Sequence, residues 1–271
     1  MQPEPTEFFP IYIAWIAPTE ARVRIPVARV DRVGGERWSL SYTAGVARAQ
    51  QLGFGAFPGM DDLDATYTST EMFPFMRQRI MRRGRPEYER WLHTLALDAD
   101  AAAHDPVAVL LRSPGREDYD RLEFFAPQPL GGNTWRFVFY VRYLRGNPVI
   151  DARLAAGEPP AEPLALQPVH FDGSAGWKGT GLAVSDAAGE TLGYVATSFV
   201  QALQQCASRR VTILRVNPAP MVSSYRLLLQ VDATMPDGWQ IEADTPELRP
   251  WNSLNDNIRT PTQGPLIAKW N

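Results

Sequence analysis

Prolines limit what this chain can fold into more than any other feature. There are 24 in 271 residues. Each fixes its own φ and removes a backbone donor, so the sequence favours short elements and rigid loops over long helices. The clearest local pattern between them runs from Leu164-Ala-Leu-Gln-Pro-Val-His-Phe, through Leu182-Ala-Val-Ser, to Glu190-Thr-Leu-Gly-Tyr-Val195. It reads as strand, long loop, strand, tight turn and strand. A short helix at Ala196–Ala207 and a β-rich run at Val211–Val231 follow.

The length suits one large or two ordinary domains, each with a proper core. Hydrophobic residues make up 45% and charged residues 21%, the balance of a soluble globular protein. No window approaches 18 uninterrupted apolar residues, so no membrane span is expected. The opening Met1-Gln-Pro-Glu-Pro-Thr-Glu is acidic and proline-rich, unlike a signal peptide. Cys206 is the only cysteine, which rules out an internal disulfide and any multi-cysteine metal site. A cytoplasmic location is expected.

The N-terminal half reads as an antiparallel meander. Phe8 to Ile16 is apolar and β-favouring, Val23–Val30 alternates, and Gly34-Gly35 turns into Trp38-Ser-Leu-Ser-Tyr. Ala44–Leu52 suits a helix. Ser69 resembles a helix cap, and Phe75, Met76, Ile80 and Met81 follow at helical spacing, predicting a helix from Ser69 through the arginines near 83. Further helices are expected at Glu87–Leu95, after Pro86, and at Pro106–Ser113. Strands then return at Asp120–Phe125 and Trp135–Leu144. Ala155–Pro163 reads as a loop, and the domain boundary falls near residues 114–133. The stretch after Pro236 is expected to be extended and packed through Trp239, Trp251 and Trp270.

No catalytic constellation is visible. His93, His104 and His170 have no second ligand at metal spacing, and His93 suits a partly buried structural place on its helix. There is no G-x-S-x-G, P-loop or G-x-G-x-x-G; Gly179-Thr-Gly181 lacks the remainder of either glycine motif. Cys206, beside an apolar helix, suits a buried inert thiol. Asp61, Asp62 and Asp64 fit a solvated loop rather than a hydrolytic metal site, since nothing nearby completes one. Neither an enzyme nor a cofactor is expected.

Charge is more suggestive. The formal net charge is −3, but Lys178 and Lys269 are the only lysines, leaving 25 of the 27 basic residues as arginine. Arg77, Arg79, Arg82, Arg83 and Arg85 cluster. On one helix Arg79, Arg82 and Arg83 share a side. Such a face suits a phosphate backbone or an acidic partner, and equally a solvated surface with local ion pairs. On the strand Phe139-Tyr-Val-Arg-Tyr-Leu-Arg145, an arginine beside an aromatic suits a phosphate and a stacked base.

The matching parts Val141-Arg142-Tyr143, Leu164-Ala-Leu-Gln-Pro168, Leu182-Ala-Val184 and Gly189-Glu-Thr-Leu-Gly-Tyr-Val195 resemble a HIRAN domain over residues 136–231. That family comprises β-rich, OB-like modules on DNA-repair helicases and in standalone bacterial proteins, and its members bind single-stranded DNA ends. The resemblance implies that Arg142 grips the backbone and that Tyr143, Trp177 and Tyr194 stack on bases. In the binding loop Trp177 stands where the family has Tyr and Lys178 where it has Asp. Ala175 and Thr180 replace the usual asparagines. A lysine there favours phosphate contact over recognition of an end. More faintly, Ile11–Leu97 resembles the N-terminal subdomain of HipA-type kinases, in Trp38-Ser-Leu-Ser-Tyr and Glu71-Met-Phe-Pro-Phe-Met-Arg-Gln-Arg-Ile. The kinase lobe itself is missing.

Together these readings predict an α+β protein with three parts. Residues 1–118 form a HipA-subdomain-like module of meander and helices, 119–235 an OB-like small β-barrel, and 236–271 an extended tail. The expected role is non-enzymatic DNA binding, to single strands or ends, in bacterial genome maintenance or phage defence. The contacts would be Arg142, Tyr143, Trp177, Lys178 and Tyr194, with Arg79, Arg82 and Arg83 adding phosphate attraction. The other reading is an interaction module that recruits a kinase, helicase or nuclease.

Overall fold

The structure is a computed structural model that describes residues 9–18, 23–33, 37–98, 105–115, 121–172 and 178–254. It is mixed α+β, and its strands pair antiparallel in three sheets.

The first sheet takes β1 (Ile11–Ile16), β2 (Arg24–Val33), β3 (Arg37–Tyr42), β4 (Tyr67–Ser69) and β5 (Leu122–Phe125), in the order β4-β3-β2-β1-β5. The meander is therefore as expected for β1 to β3. The strand β1 is flanked on both edges and covered on both faces, which explains its unbroken apolar run Ile-Tyr-Ile-Ala-Trp-Ile. Pro26 has no N–H to give the ladder, and the β1–β2 register slips beside it. The strand β5 hydrogen-bonds to β1, so residues 122–125 complete the N-terminal sheet.

Short helices follow: α1 (Val46–Gln51), α2 (Pro74–Arg77), α3 (Tyr88–Thr94) and α4 (Pro106–Arg112). The last begins as the sequence indicates, with the Asp105 side chain accepting from the Val107 N–H at 3.0 Å. The helix expected from Ser69 to about 83 is instead only α2. Ser69 ends β4, and Phe73 is extended (φ −51°, ψ 135°) because the ring of Pro74 disfavours a helical residue before it.

Two further sheets build the C-terminal part. β6 (Gln128–Gly131), β7 (Thr134–Tyr140), β11 (Ser208–Val216) and β12 (Leu227–Thr234) order as β11-β12-β7-β6. β8 (Ala165–Asp172), β9 (Lys178–Ser185) and β10 (Thr191–Tyr194) order as β10-β9-β8. α5 (Pro148–Ala155) precedes β8, and α6 (Thr197–Gln205) follows β10. The apolar residues Phe199, Val200, Ala202 and Leu203 of α6 are buried, and the Phe199 ring meets Phe125, Phe137 and Phe139.

One core joins the two halves. Tyr12 and Ala14 of β1 and Phe125 of β5 pack with Phe137, Leu182, Leu192, Leu203 and Leu229. The segment after Pro236 is not extended where it is described. It forms α7 (Ile241–Asp244) and two turns of 3₁₀ helix, at Pro246–Leu248 and Trp251–Leu254. Trp239 stacks edge-on against Trp135 with centroids 5.3 Å apart, and Trp251 packs against the N-terminal core. Trp270 lies outside the described residues. No described helix is long and apolar enough to cross a membrane.

Candidate nucleic-acid interface

The site forms where the two C-terminal sheets meet. Past the end of β7 the backbone leaves β12 and pairs with β10 through an isolated antiparallel bridge, Arg142 to Tyr194. The Arg142 N–H donates to the Tyr194 carbonyl at 2.8 Å, and the Tyr194 N–H returns to the Arg142 carbonyl at 3.0 Å. Gly193 is what permits this approach. A Cβ there would collide with the Arg142 carbonyl oxygen and lie 2.6 Å from Val141 Cγ1. The glycine of Gly-Tyr-Val is thus a requirement of strand contact.

The next residue is held unusually. Tyr143 adopts a left-handed backbone (φ 60°, ψ 28°), a conformation that costs a side-chain-bearing residue about 1–2 kcal/mol. The result is a tyrosine that is 51% exposed. It stands edge-on to Tyr194 at 6.2 Å, and Tyr194 in turn stands edge-on to Phe171 of β8 at 5.2 Å. Three elements therefore contribute one row of rings to a single surface.

Directly beneath lies a charged core. Arg142 is buried, 6% exposed, and its Nη2 donates to Glu123 Oε1 of β5. Glu123 also accepts from Arg24 Nε of β2 at 2.6 Å. Burial by itself would lower the Arg24 pKa, but the Glu123 charge and hydrogen bond outweigh it, and the Tyr143 hydroxyl adds to them, so the net shift is upward. The exposed Tyr143 and the buried Glu123 carboxylate are thus parts of one network.

Several expected contacts lie elsewhere. Arg142, expected at the surface, points inward to Glu123, because a buried carboxylate needs a cation more than solvent does. Arg79, expected on an exposed helix face, is 7% exposed. Its Nε donates to the Phe75 carbonyl at 2.9 Å and its Nη1 to the Gly115 carbonyl at 2.7 Å, and the guanidinium lies over Phe124. Arg82 and Arg83 are exposed, on the turns after α2. Lys178 begins β9 in register with Asp172, and Trp177 lies outside the described residues.

Other candidates settle simply. His93 is exposed on α3, not partly buried, and its ring nitrogens approach Arg215 Nη2 at 2.5 and 2.6 Å. His170 is exposed on β8, and His104 lies outside the described residues. Cys206 is half-buried, its thiol 3.1 Å from the Leu203 carbonyl at the end of α6. Asp62 caps its own loop by accepting from the Asp64 N–H at 2.9 Å. Among the described residues no three His, Cys, Asp or Glu side chains gather closely enough to hold a metal.

Phe171, Arg24 and Glu123 were not singled out from the sequence. Glu123 did carry a signal: a lone acid inside the apolar run Leu122-Glu-Phe-Phe implies a buried cationic partner. Known family models, curated proteins and solved structures give no match to this chain.

Proposed function

We propose that the protein binds single-stranded nucleic acid, DNA in the first instance, across the ring row Tyr143, Tyr194 and Phe171. The observation that carries this reading is the strained, half-exposed Tyr143. A left-handed tyrosine costs stability; its hydroxyl supports the Arg24–Glu123 cluster, and its half-exposed ring is what the strand would stack on. Exposed aromatic faces stack on bases without regard to sequence, each worth about 1–3 kcal/mol. Lys178, which begins β9, would add phosphate attraction. Arg142 serves as the buried anchor of the platform.

The meeting of the two sheets at Arg142 and Tyr194 supports a barrel of OB-like kind. Its other seam is spanned by a side chain: Arg209 of β11 donates to the Leu166 carbonyl of β8 at 2.6 Å. The HIRAN resemblance agrees with this arrangement, and genome maintenance or phage defence would be its setting.

Fluorescence anisotropy with single-stranded, blunt and 3′-overhang DNA tests the reading. Single-stranded or overhang DNA should bind most tightly, and the affinity should fall steeply with salt. Undetectable binding of every DNA at low salt would sink it.

A further inference from the structure

We infer that the cavity beneath α6 binds one ordered water, which joins the Arg142 side chain to the first turn of that helix. The cavity measures about 10 Å³, and Arg142 and Ser198 both line it. Each has a buried polar atom with no hydrogen-bond partner in the protein, Nε of Arg142 and Oγ of Ser198. The two atoms thus border one space without bonding each other. An arginine Nε–H can only donate, whereas a serine hydroxyl donates or accepts. Buried groups of this kind are nearly always met by protein or by water. Phe124, Phe125, Phe139 and Phe199 form much of the remaining wall, and their side chains offer neither group a partner.

Size and charge select the occupant. The volume is that of about one water-sized sphere, which excludes any larger molecule. Arg112 and Arg142 bring positive charge to the lining and Glu123 brings negative charge, so an ion of either sign would meet a like charge. Water is neutral. It accepts from the Arg142 Nε–H and exchanges a hydrogen bond with Ser198 Oγ in either direction, which supplies the two polar partners that a buried water needs. The position also gives it a task. The Arg142 backbone pairs with Tyr194, and its Nη2 donates to Glu123. From Tyr194 the chain runs directly into α6, and Ser198 lies in the first turn of that helix. The water closes this loop from the side-chain end, so that strand, carboxylate and helix together fix the guanidinium.

The site is distinct from the exposed ring row and independent of nucleic-acid binding. Crystals of the full chain that diffract well enough to order interior solvent test it directly. The expected result is a single solvent peak within hydrogen-bonding distance of both Arg142 Nε and Ser198 Oγ. No density there, or a direct bond between the two side chains, overturns the inference. Ser198→Ala should lose the peak and keep the Arg142–Glu123 pair. A peak of undiminished height in that variant overturns the bridge.

Nuclear Overhauser spectroscopy provides a second readout in solution. A held water gives cross-relaxation with the Arg142 Nε–H proton that has opposite signs in the laboratory and rotating frames. Proton exchange with bulk water gives the same sign in both. The wild type should show the opposite-sign pair, and Ser198→Ala should lose it. Same-sign peaks in the wild type, or none, overturn the inference as well.

Discussion

Glu123 on β5 and Arg142 just beyond β7 are paired in the interior, linking the N-terminal sheet to the junction of the two C-terminal sheets. Arg24 on β2 grips the same carboxylate from the other side. Tyr143 therefore rests on a charge cluster whose members come from β2, β5 and the residues just beyond β7.

Removing the shared carboxylate should be severe. Glu123→Gln leaves two buried guanidinium groups without their counter-ion and should destabilise the protein by about 3–5 kcal/mol. Urea denaturation monitored by tryptophan fluorescence would register this as a lower midpoint. A loss under 1 kcal/mol would mean that the cluster is solvated in solution.

Tyr143 is expected to separate binding from stability. Tyr143→Ala should weaken single-stranded DNA binding by about 5- to 100-fold, the worth of one stacked base. Tyr143→Phe keeps the ring and should bind nearly as the wild type does. Equal affinity for all three proteins would place the strand elsewhere.

Gly193→Ala should break the contact between β10 and the Arg142 backbone. Its Cβ meets the Arg142 carbonyl and Val141, neither of which is a flexible chain end, so a destabilisation of about 2–4 kcal/mol is expected. Gly189→Ala meets open space at φ 80° and carries only the backbone penalty, about 1 kcal/mol. The thermal midpoints of the two variants should rank accordingly.

Acid sensitivity has an identifiable source in Asp232, which faces Arg136 across β7 and β12. The hydrogen bond from Arg136, 2.7 Å long, holds the Asp232 carboxyl below its ordinary value of 3.8. A carboxyl depressed in the folded state contributes stability above its unfolded pKa and loses it as pH falls through the folded value. Stability should therefore decline as pH drops below about 4. In Asp232→Asn part of that decline should be absent, from a lower starting stability at pH 7. Denaturation midpoints between pH 2 and pH 7 would show it.

The exposed arginines after α2 test the electrostatic part of the binding. Replacing Arg82 and Arg83 by Gln should lower the slope of log affinity against log salt by about 1.4. An unchanged slope would show that these two residues do not approach the phosphates.

Much of the architecture follows from local chemistry. Alternation and turn residues mark β1 to β3 and β8 to β10, and proline with its preceding cap starts α4 at Asp105-Pro106. Gly193 and Tyr194 stand out in the sequence as part of Gly-Tyr-Val, and at Gly193 the close strand approach needs a residue without Cβ. These signals are short-range, and short-range physics is what a sequence carries most directly.

Other features depended on contacts far along the chain. The spacing of Phe75, Met76, Ile80 and Met81 mimics a helix, yet Pro74 and the inward turn of Arg79 to Gly115 prevent one. Arg142 reads as a surface cation until a carboxylate 19 residues away claims it. By itself the sequence determined a chain of short strands and helices, arginine-rich, with an aromatic at the end of β7 and another on β10. Only the tertiary structure decided which cations face inward and which rings meet in one row. The reason is physical: periodicity records burial by a residue's neighbours in sequence, whereas a buried charge is placed by a partner brought near only when the sheets pack.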